Sequence, residues 1–377
     1  MRSGKYITQT SGYKAFIPTN PPPKPSISLD DGVQHLLTDA NIAIGKLDTM
    51  GYLVPNLEYI IAMYVRKEAL LSSQIEGTQA SLEDIFEYES KIPLKNVNDV
   101  KEVVNYIKAL TYGMERINKF PMSIRLIKEI HKILLEETRG NNKTPGEFKK
   151  SQNWIGPPGS TLTSATFVPP PPHDALEAMS NLEKYLHEDS NLPLLINCAL
   201  IHYQFETIHP FLDGNGRLGR LLITFYLFWK RSLQHPLLYL SYFFKIYRQE
   251  YYDRLNLVRE NGDYEQWISF FLKGVIWTSE SALLTIKNIL NLKEQHKKIL
   301  ITKKISTPYA IALHDYLFKK PHVSINNIAK EFSISFQSAK AIISQFLKNG
   351  ILKEITGKKR DKRFSYWEYI DILSEGT

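Results

Sequence analysis

Residues 209–220 form a polar, glycine-rich run that the chain must set between two segments too apolar to face water. Upstream, residues 192–208 read LPLLINCALIHYQFETI, with apolar side chains at Leu195, Ile196, Ala199, Leu200, Tyr203 and Phe205 in a helical rhythm. Downstream, residues 217–230 read RLGRLLITFYLFWK, apolar almost all round, which predicts a buried central helix. Pro210 stops the first helix, and Asp213, Gly214 and Asn215 suit a turn and the N-cap of the second. This pattern dictates a helix-loop-helix with an anion site at the start of its second helix.

The run itself, HPFLDGNGRLGR, holds one histidine, one carboxylate, three glycines, an asparagine and two arginines. Glycine lets backbone amides approach a ligand because no Cβ stands in the way. Free amides at a helix N-terminus make an anion site. Arg217 and Arg220 offer planar, permanently charged forks for phosphate oxygens. Asp213 is a hard oxygen ligand for the Mg²⁺ that accompanies nucleotide phosphates. His209 is the side-chain type most readily poised as a general base near neutral pH. DGNG alone is only a turn signal. The co-occurrence of base, metal ligand, anion loop and two arginines describes phosphoryl or nucleotidyl transfer.

This run resembles the signature His-Pro-Phe-x-Asp/Glu-Gly-Asn-Gly-Arg-x-x-Arg of the Fic family, and matches it at every fixed position. Proteins of that family mostly transfer AMP from ATP to hydroxyl side chains of target proteins. The resemblance implies that His209 takes the proton from the target hydroxyl and that Asp213 holds Mg²⁺. It implies an ATP cradle of Phe211, Leu212, Asp213, Gly214, Asn215 and Gly216, with Arg217 and Arg220 on the outer phosphates. It also implies a mainly α fold, a Fic-type helical bundle with a β-hairpin flap. One segment departs from the family. In LYLSYFFKIYRQEYYDRL (238–255), Ile246 and Tyr247 stand where relatives place a polar group near the adenine, so Tyr247 is expected to stack on or bond the base.

Residues 72–77, SSQIEG, fit the pattern Ser/Thr-x-x-x-Glu-Gly/Asn of the inhibitory helix in regulated Fic proteins, and precede the loop as in the class with an N-terminal inhibitory helix. Residues 57–73 show an apolar-rich helical pattern free of Gly and Pro. Ser72 and Glu76 share one helix face, and Gly77 suits the helix end. A carboxylate there is expected to pair with Arg220 and take the space and charge complement that a γ-phosphate needs.

Residues 144–172 follow an amphipathic helix at 124–138. Their β-prone pieces at 152–155 and 166–168 flank a Gly-Pro-Pro-Gly turn and predict a hairpin flap. In Fic relatives the equivalent flap pairs with an extended segment of the target.

A chain of 377 residues holds two or three domains. It divides into an N-terminal helical region with the inhibitory motif (1–110), a Fic core (111–298) and a winged-helix domain (305–377). Residues 1–28 end in PTNPPPKPS and are expected to be extended. From Lys287 to Arg363, seventeen Lys or Arg stand against five Asp or Glu, a difference of +12 where the whole chain sums to +8. Basicity is therefore local, as when charge serves one interaction.

Within that region residues 324–352 read as two helices around a turn at 333–335, with Ser324 and Ser335 as N-caps and Asn349-Gly350 as a stop. ILKEIT, the basic tip GKKRDKR and FSYWEYI then alternate like a two-stranded wing. This resembles a winged helix-turn-helix whose second helix, 336–348, enters DNA, with Gln337, Ser338 and Lys340 at its exposed start. DNA contact and a homodimerisation or docking role both remain open on the sequence.

No apolar stretch approaches the ~20 residues of a membrane span, and the N-terminus lacks a signal peptide's apolar core. Cys198 stands alone on an apolar helix, as a buried thiol does. A cytoplasmic protein without a membrane partner is expected. Two function classes follow. The first is a protein adenylyltransferase that uses ATP and Mg²⁺ on Ser, Thr or Tyr hydroxyls and on itself, held off by Glu76; other nucleotides, or AMP removal, are its variants. The second is a DNA-binding regulator whose core senses nucleotide.

Overall fold

The computed structural model describes residues 2–54, 57–89, 96–357 and 361–377. Residues 90–95, and residues 358–360 at the basic tip of the expected wing, lie outside the described residues. The chain opens with strands β1 (Gly4–Thr8) and β2 (Lys14–Pro18), paired antiparallel. Helices α1 (Asp31–Leu53), α2 (Leu57–Ile75), α3 (Leu82–Glu89), α4 (Val97–Ile117) and α5 (Ile124–Leu135) follow. After the flap come α6 (Pro172–His187), α7 (Leu194–Ile208), α8 (Asn215–Trp229), α9 (Ser241–Ile246), α10 (Arg248–Asn261) and the long α11 (Tyr264–Thr302). The C-terminal part holds α12 (Pro308–Lys319), β3 (His322–Ser324), α13 (Ile325–Glu331), α14 (Phe336–Lys348), β4 (Lys353–Glu354), β5 (Arg363–Ser365) and α15 (Trp367–Ser374).

The core is helix on helix. Helix α7 is buried at every residue from Leu195 to Ile208, and α8 packs against it with Leu218, Leu221, Leu222 and Phe225 inside. Helices α2, α4, α5, α10 and α11 surround this pair. The apolar rhythm read around the loop thus reports burial correctly. Cys198 is buried on α7, and burial pushes its thiol pKa up. Helix α4 runs unbroken through residue 110 and packs on α2, α5 and α8 alike. At 39 residues, α11 is about 58 Å long at 1.5 Å per residue. It packs along α1 and reaches α12 and α15.

The N-terminus corrects the expectation of a plain extended segment. Arg2 forks onto Glu265 at the start of α11 through two 2.9 Å bonds, and Ala15 and Phe16 are fully buried. The Phe16 N–H donates to the Val168 carbonyl at 2.9 Å, so β2 lies along the outer side of the flap. The flap is slighter than predicted. Only Ile155 and Phe167 exchange both backbone bonds, at 2.8 and 3.0 Å. Prolines at 157–158 and 169–172 remove the donors a longer ladder needs.

In the C-terminal part Ser324 and Ser335 cap α13 and α14, accepting from the N–H groups of Asn327 and Ser338. Helix α14 stops at Lys348, before Gly350 at φ 75°. Where the sequence predicts a two-stranded wing, the sheet has three strands, in the antiparallel order β3-β5-β4. FSYWEYI is strand only to Ser365. Tyr366, Tyr369, Ile370 and Leu373 repeat with a helical period and are all buried, so the segment coils into α15. Helices α12 and α15 rest on α2, the helix that carries Ser72.

Phe16→Ala empties a fully buried ring site between the hairpin and the flap. It should cost about 3–5 kcal/mol in chemical denaturation. A loss below about 1 kcal/mol contradicts this packing.

Candidate active site

Helix α7 ends as His209 turns left-handed, φ 48° and ψ 58°, with its N–H still bonded to the Phe205 carbonyl at 2.9 Å. A left-handed non-glycine residue is disfavoured, so the surroundings must hold it. Several side chains do. Asn215 accepts from the Phe211 N–H and donates to the Phe211 carbonyl, both at 2.9 Å. Asn153 donates to the carbonyls of His209 and Phe211 at 3.0 and 2.7 Å. His131, from α5, accepts from the Gly146 N–H at 2.8 Å through Nδ1. That fixes its tautomer, so Nε2 donates to the Asp213 carbonyl at 2.9 Å. The ring also stacks on Phe211 with centroids 3.7 Å apart.

These contacts change two expected roles. Phe211 is fully buried between His131 and Phe148, and Asn215 spends its amide on the loop itself. Both shape the cradle from behind rather than lining it with side chains. Leu212 is half-buried in the loop. Gly214, at φ 74°, turns the chain into α8, where the first-turn amides of Asn215, Gly216 and Arg217 have no helical partner.

The His209 Nδ1 is buried and finds no hydrogen-bond partner among the described residues. Burial, with Lys149 and Arg259 adding to it, pushes the imidazole down to about 3, so it is neutral at working pH.

Asp213 accepts from the Gly214 N–H at 2.6 Å, and its side chain is 42% exposed. One open carboxylate beside an anion site fits Mg²⁺, which takes one or two carboxylates and fills the rest of its shell with phosphate and water.

Arg217 is buried with Nε and Nη1 unpartnered among the described residues; Glu102 and Asp213 approach it at 3.6 and 3.7 Å. Burial alone raises the Glu102 pKa. Bonds from Arg139 and Thr78 and the charge of Arg217 outweigh that and hold it below its ordinary value.

Arg220 is satisfied instead by Ser72 and Glu76 at the end of α2. Its Nε donates to Ser72 Oγ, and Nη2 donates to the Ser72 carbonyl and to Glu76 Oε1, each at 2.8 Å. Glu76 lies just past the end of α2, and Gly77 turns the chain away at φ 95°. The Glu76 carboxylate also covers the loop: a Cβ on Gly216 would come within 2.3 Å of Oε1. Burial opposes the Arg220 charge, yet Glu76 and the groups around it hold its pKa above the usual value.

Tyr247 is not brought to this cluster. It caps α9, packs on Phe243 at 4.7 Å and lines a groove of about 300 Å³ with Gln266 and Trp277 of α11. Tyr252, one and a half turns later, lies near enough to Glu76 and Arg220 for their charges to act on its hydroxyl. Burial and the Glu76 charge push its hydroxyl up to about 12. A helix phase that only tertiary packing decides separates the two tyrosines. His131, Lys149, Asn153, Glu102 and Tyr252 escape sequence reading because each meets the loop from a distant segment.

The Fic/DOC family pattern matches residues 121–227, and the Fic/DOC family N-terminal pattern matches residues 34–115. The chain belongs to the Fic/DOC family. Similar relatives include Protein adenylyltransferase Fic of Drosophila yakuba and of Drosophila melanogaster, each 30% identical over 52% of this chain and 37% of the relative. This chain thus matches little more than a third of those relatives' length. A Fic family protein from Desulfovibrio desulfuricans shares the fold with a TM-score of 0.59 at 19% identity, covering 91% of this chain and 98% of its own. A Fic domain containing signaling protein from Bacteroides thetaiotaomicron gives 0.51 at 18% identity over 68% of this chain and 97% of its own. Among the described residues no helix is long and apolar enough to cross a membrane.

The buried histidines set an acid limit. Burial pushes His131 down to about 4 and His202 and His209 to about 3. The unfolded chain binds these protons near pH 6.5, so the stability tied to the neutral rings is intact above that pH and is lost on acidification. Glu68 and Glu206, pushed up to about 7 by burial, act oppositely and favour the fold at low pH. The histidines dominate, so Tm should fall steadily from pH 6.5 to 4.5. A Tm that holds or rises over that window contradicts their burial as neutral rings.

Proposed function

We propose that this Fic protein transfers AMP from ATP to Ser, Thr or Tyr hydroxyls of target proteins and of itself, and that Glu76 holds it in an off state. The observation that carries this reading is the satisfied Arg220: the buried guanidinium in the anion site bonds Ser72 and Glu76 where outer phosphates belong.

In the open enzyme the triphosphate lies on the α8 amides, with Arg217 and Arg220 on its outer phosphates. Asp213 would hold Mg²⁺, which would supply positive charge against the phosphates. The target hydroxyl oxygen bonds to the α-phosphorus, the bond from that phosphorus to the bridging oxygen breaks, and pyrophosphate leaves. The hydroxyl proton passes to His209 Nε2. A triphosphate beside His209 raises its proton affinity from the depressed resting value, as an adjacent opposite charge does. Trp154 and Gly156 flank the one paired residue of the flap's inner arm. Their main-chain groups offer an extended target segment a strand to pair with. Tyr252 and the Arg248 guanidinium above its ring at 5.6 Å make a platform for the base.

A second reading draws on the C-terminal part, taken as a winged helix. Gln337, Ser338 and Lys340 are exposed at the start of α14, which favours a DNA-contacting regulator whose Fic core senses nucleotide. Loss of low-salt DNA affinity on removing residues 305–377 supports that reading; unchanged affinity rules it out.

Incubation with α-labelled ATP separates the two classes. Glu76→Gly should raise auto-labelling at least about tenfold, and His209→Ala in that background should abolish it. Equal labelling of the parent and Glu76→Gly contradicts the off state. No label from any nucleotide contradicts the transferase.

A further inference from the structure

Lys149 is a buried amine that the reaction above does not use; burial pushes its ammonium down to about 7, so it carries its full charge only below that pH. It sits at the root of the flap, 3% exposed. Its Nζ donates to Asn153 Oδ1 at 2.7 Å and to the Ile208 carbonyl at 3.5 Å, and its main-chain N–H donates to the Pro210 carbonyl at 2.8 Å. Asn153 carries the connection onward to the carbonyls of His209 and Phe211. Between them, the two side chains and one amide hold four consecutive residues, 208–211, across the point where His209 turns left-handed.

The chemistry of the pair fixes its direction. An ammonium has donors only, so it takes the Asn153 oxygen and forces the NH₂ group toward the loop carbonyls. No carboxylate forms an ion pair with Lys149 among the described residues. Burying an ammonium without a counter-ion is costly. The ammonium's two hydrogen-bond partners, Asn153 at the flap root and the Ile208 carbonyl at the end of α7, place that cost beside His209.

We propose that Lys149, acting through Asn153, is a positioning residue that holds His209 in its left-handed geometry and sets a positive charge behind its imidazole. The consequence for rate rests on the AMP-transfer reading; the geometry and the charge do not. Lys149 is tied to His209 through Asn153, and the charges of Lys149 at the flap root and Arg259 of α10, with the Glu206 carbonyl of α7, act on the imidazole. The two cations disfavour a proton on the ring and the carbonyl favours one. Taking away Lys149 therefore moves the His209 titration upward.

The test uses the full chain with Glu76→Gly as parent, adding Lys149→Met, Lys149→Arg or Asn153→Ala. Histidine-labelled NMR titration, with the His209 signal assigned by His209→Ala, reads the charge. Lys149→Met should shift His209 upward, while Lys149→Arg keeps the parent value. Steady-state kinetics read the positioning. Lys149→Met should lower kcat by about tenfold or more with KM for ATP within about twofold, as misplacement of a reacting group does. Lys149→Arg should restore most of kcat. Asn153→Ala keeps the charge and cuts the bridge, so kcat falls without the upward shift; it also serves if Lys149→Met folds poorly.

An unshifted His209 together with unchanged kcat in Lys149→Met overturns the proposal. So does a kcat loss that Lys149→Arg does not rescue and that comes with an equal rise in KM, the mark of a merely structural residue. A parent that transfers no label instead sinks the AMP-transfer reading. In that case the His209 titration in Lys149→Met still decides whether Lys149 acts on the ring.

Discussion

Arg220 brings a full positive charge into the centre of the helical body, at 3% exposure, and the surrounding structure is arranged to answer it. Removing one partner of a buried ion pair is severe because the other charge is left without compensation. The partners here come from an element that is not part of the helix-loop-helix: Ser72 and Glu76 at the end of α2. Docking of α2 and pairing of Arg220 are therefore one physical event. A phosphate that takes Arg220 must also replace the charge and hydrogen bonds that Glu76 and Ser72 provide. Glu206, buried one turn before His209 with Oε1 unpartnered among the described residues, adds a second carboxyl near the same guanidinium.

The end of α2 is tied on several sides. Thr78 donates to Glu102 at 2.9 Å, and the Gln79 N–H donates to Asp99 at 2.8 Å, so α4 holds the chain just after Glu76. Glu102 in turn faces Arg217. Lys245 of α9 bonds Gln74 at 2.6 Å and the Gly376 carbonyl at 3.2 Å, linking the same turn to the segment after α15. The two phosphate-directed arginines thus differ in kind. Arg220 is hydrogen-bonded by Ser72 and Glu76, whereas Arg217 meets Glu102 and Asp213 only at 3.6 and 3.7 Å and keeps Nε and Nη1 without hydrogen bonds among the described residues.

Much of this was legible in the sequence where chemistry and periodicity are local. The loop from His209 to Arg220 declares its parts within one short run, and the apolar helices around it force its setting. Ser72 and Glu76 are readable because helix spacing places them on one face, and the partner anticipated for them, Arg220, is the one they meet. Ser324 and Ser335 are readable as caps for the same local reason. What escaped reading is decided by tertiary contact. Asn215 turns its amide inward, Phe211 becomes core, and Tyr252 rather than Tyr247 meets the site. The hairpin β1–β2 is stable only because Phe16 and Arg2 find the flap and α11. No periodicity announces His131, Lys149 or Asn153, whose partners lie some 55 to 80 residues away along the chain.

The account turns on Glu76 and the nucleotide's outer phosphates competing for one guanidinium. A double-mutant cycle on Mg·ATP affinity, measured by calorimetry across the parent, Glu76→Gln, Arg220→Ala and the double variant, tests this directly. Glu76→Gln should tighten ATP binding in the parent and leave it unchanged once Arg220 is gone, a non-additivity expected only of groups that interact. If Glu76→Gln tightens ATP equally with and without Arg220, or in neither case, Glu76 does not act through Arg220 and the account is wrong.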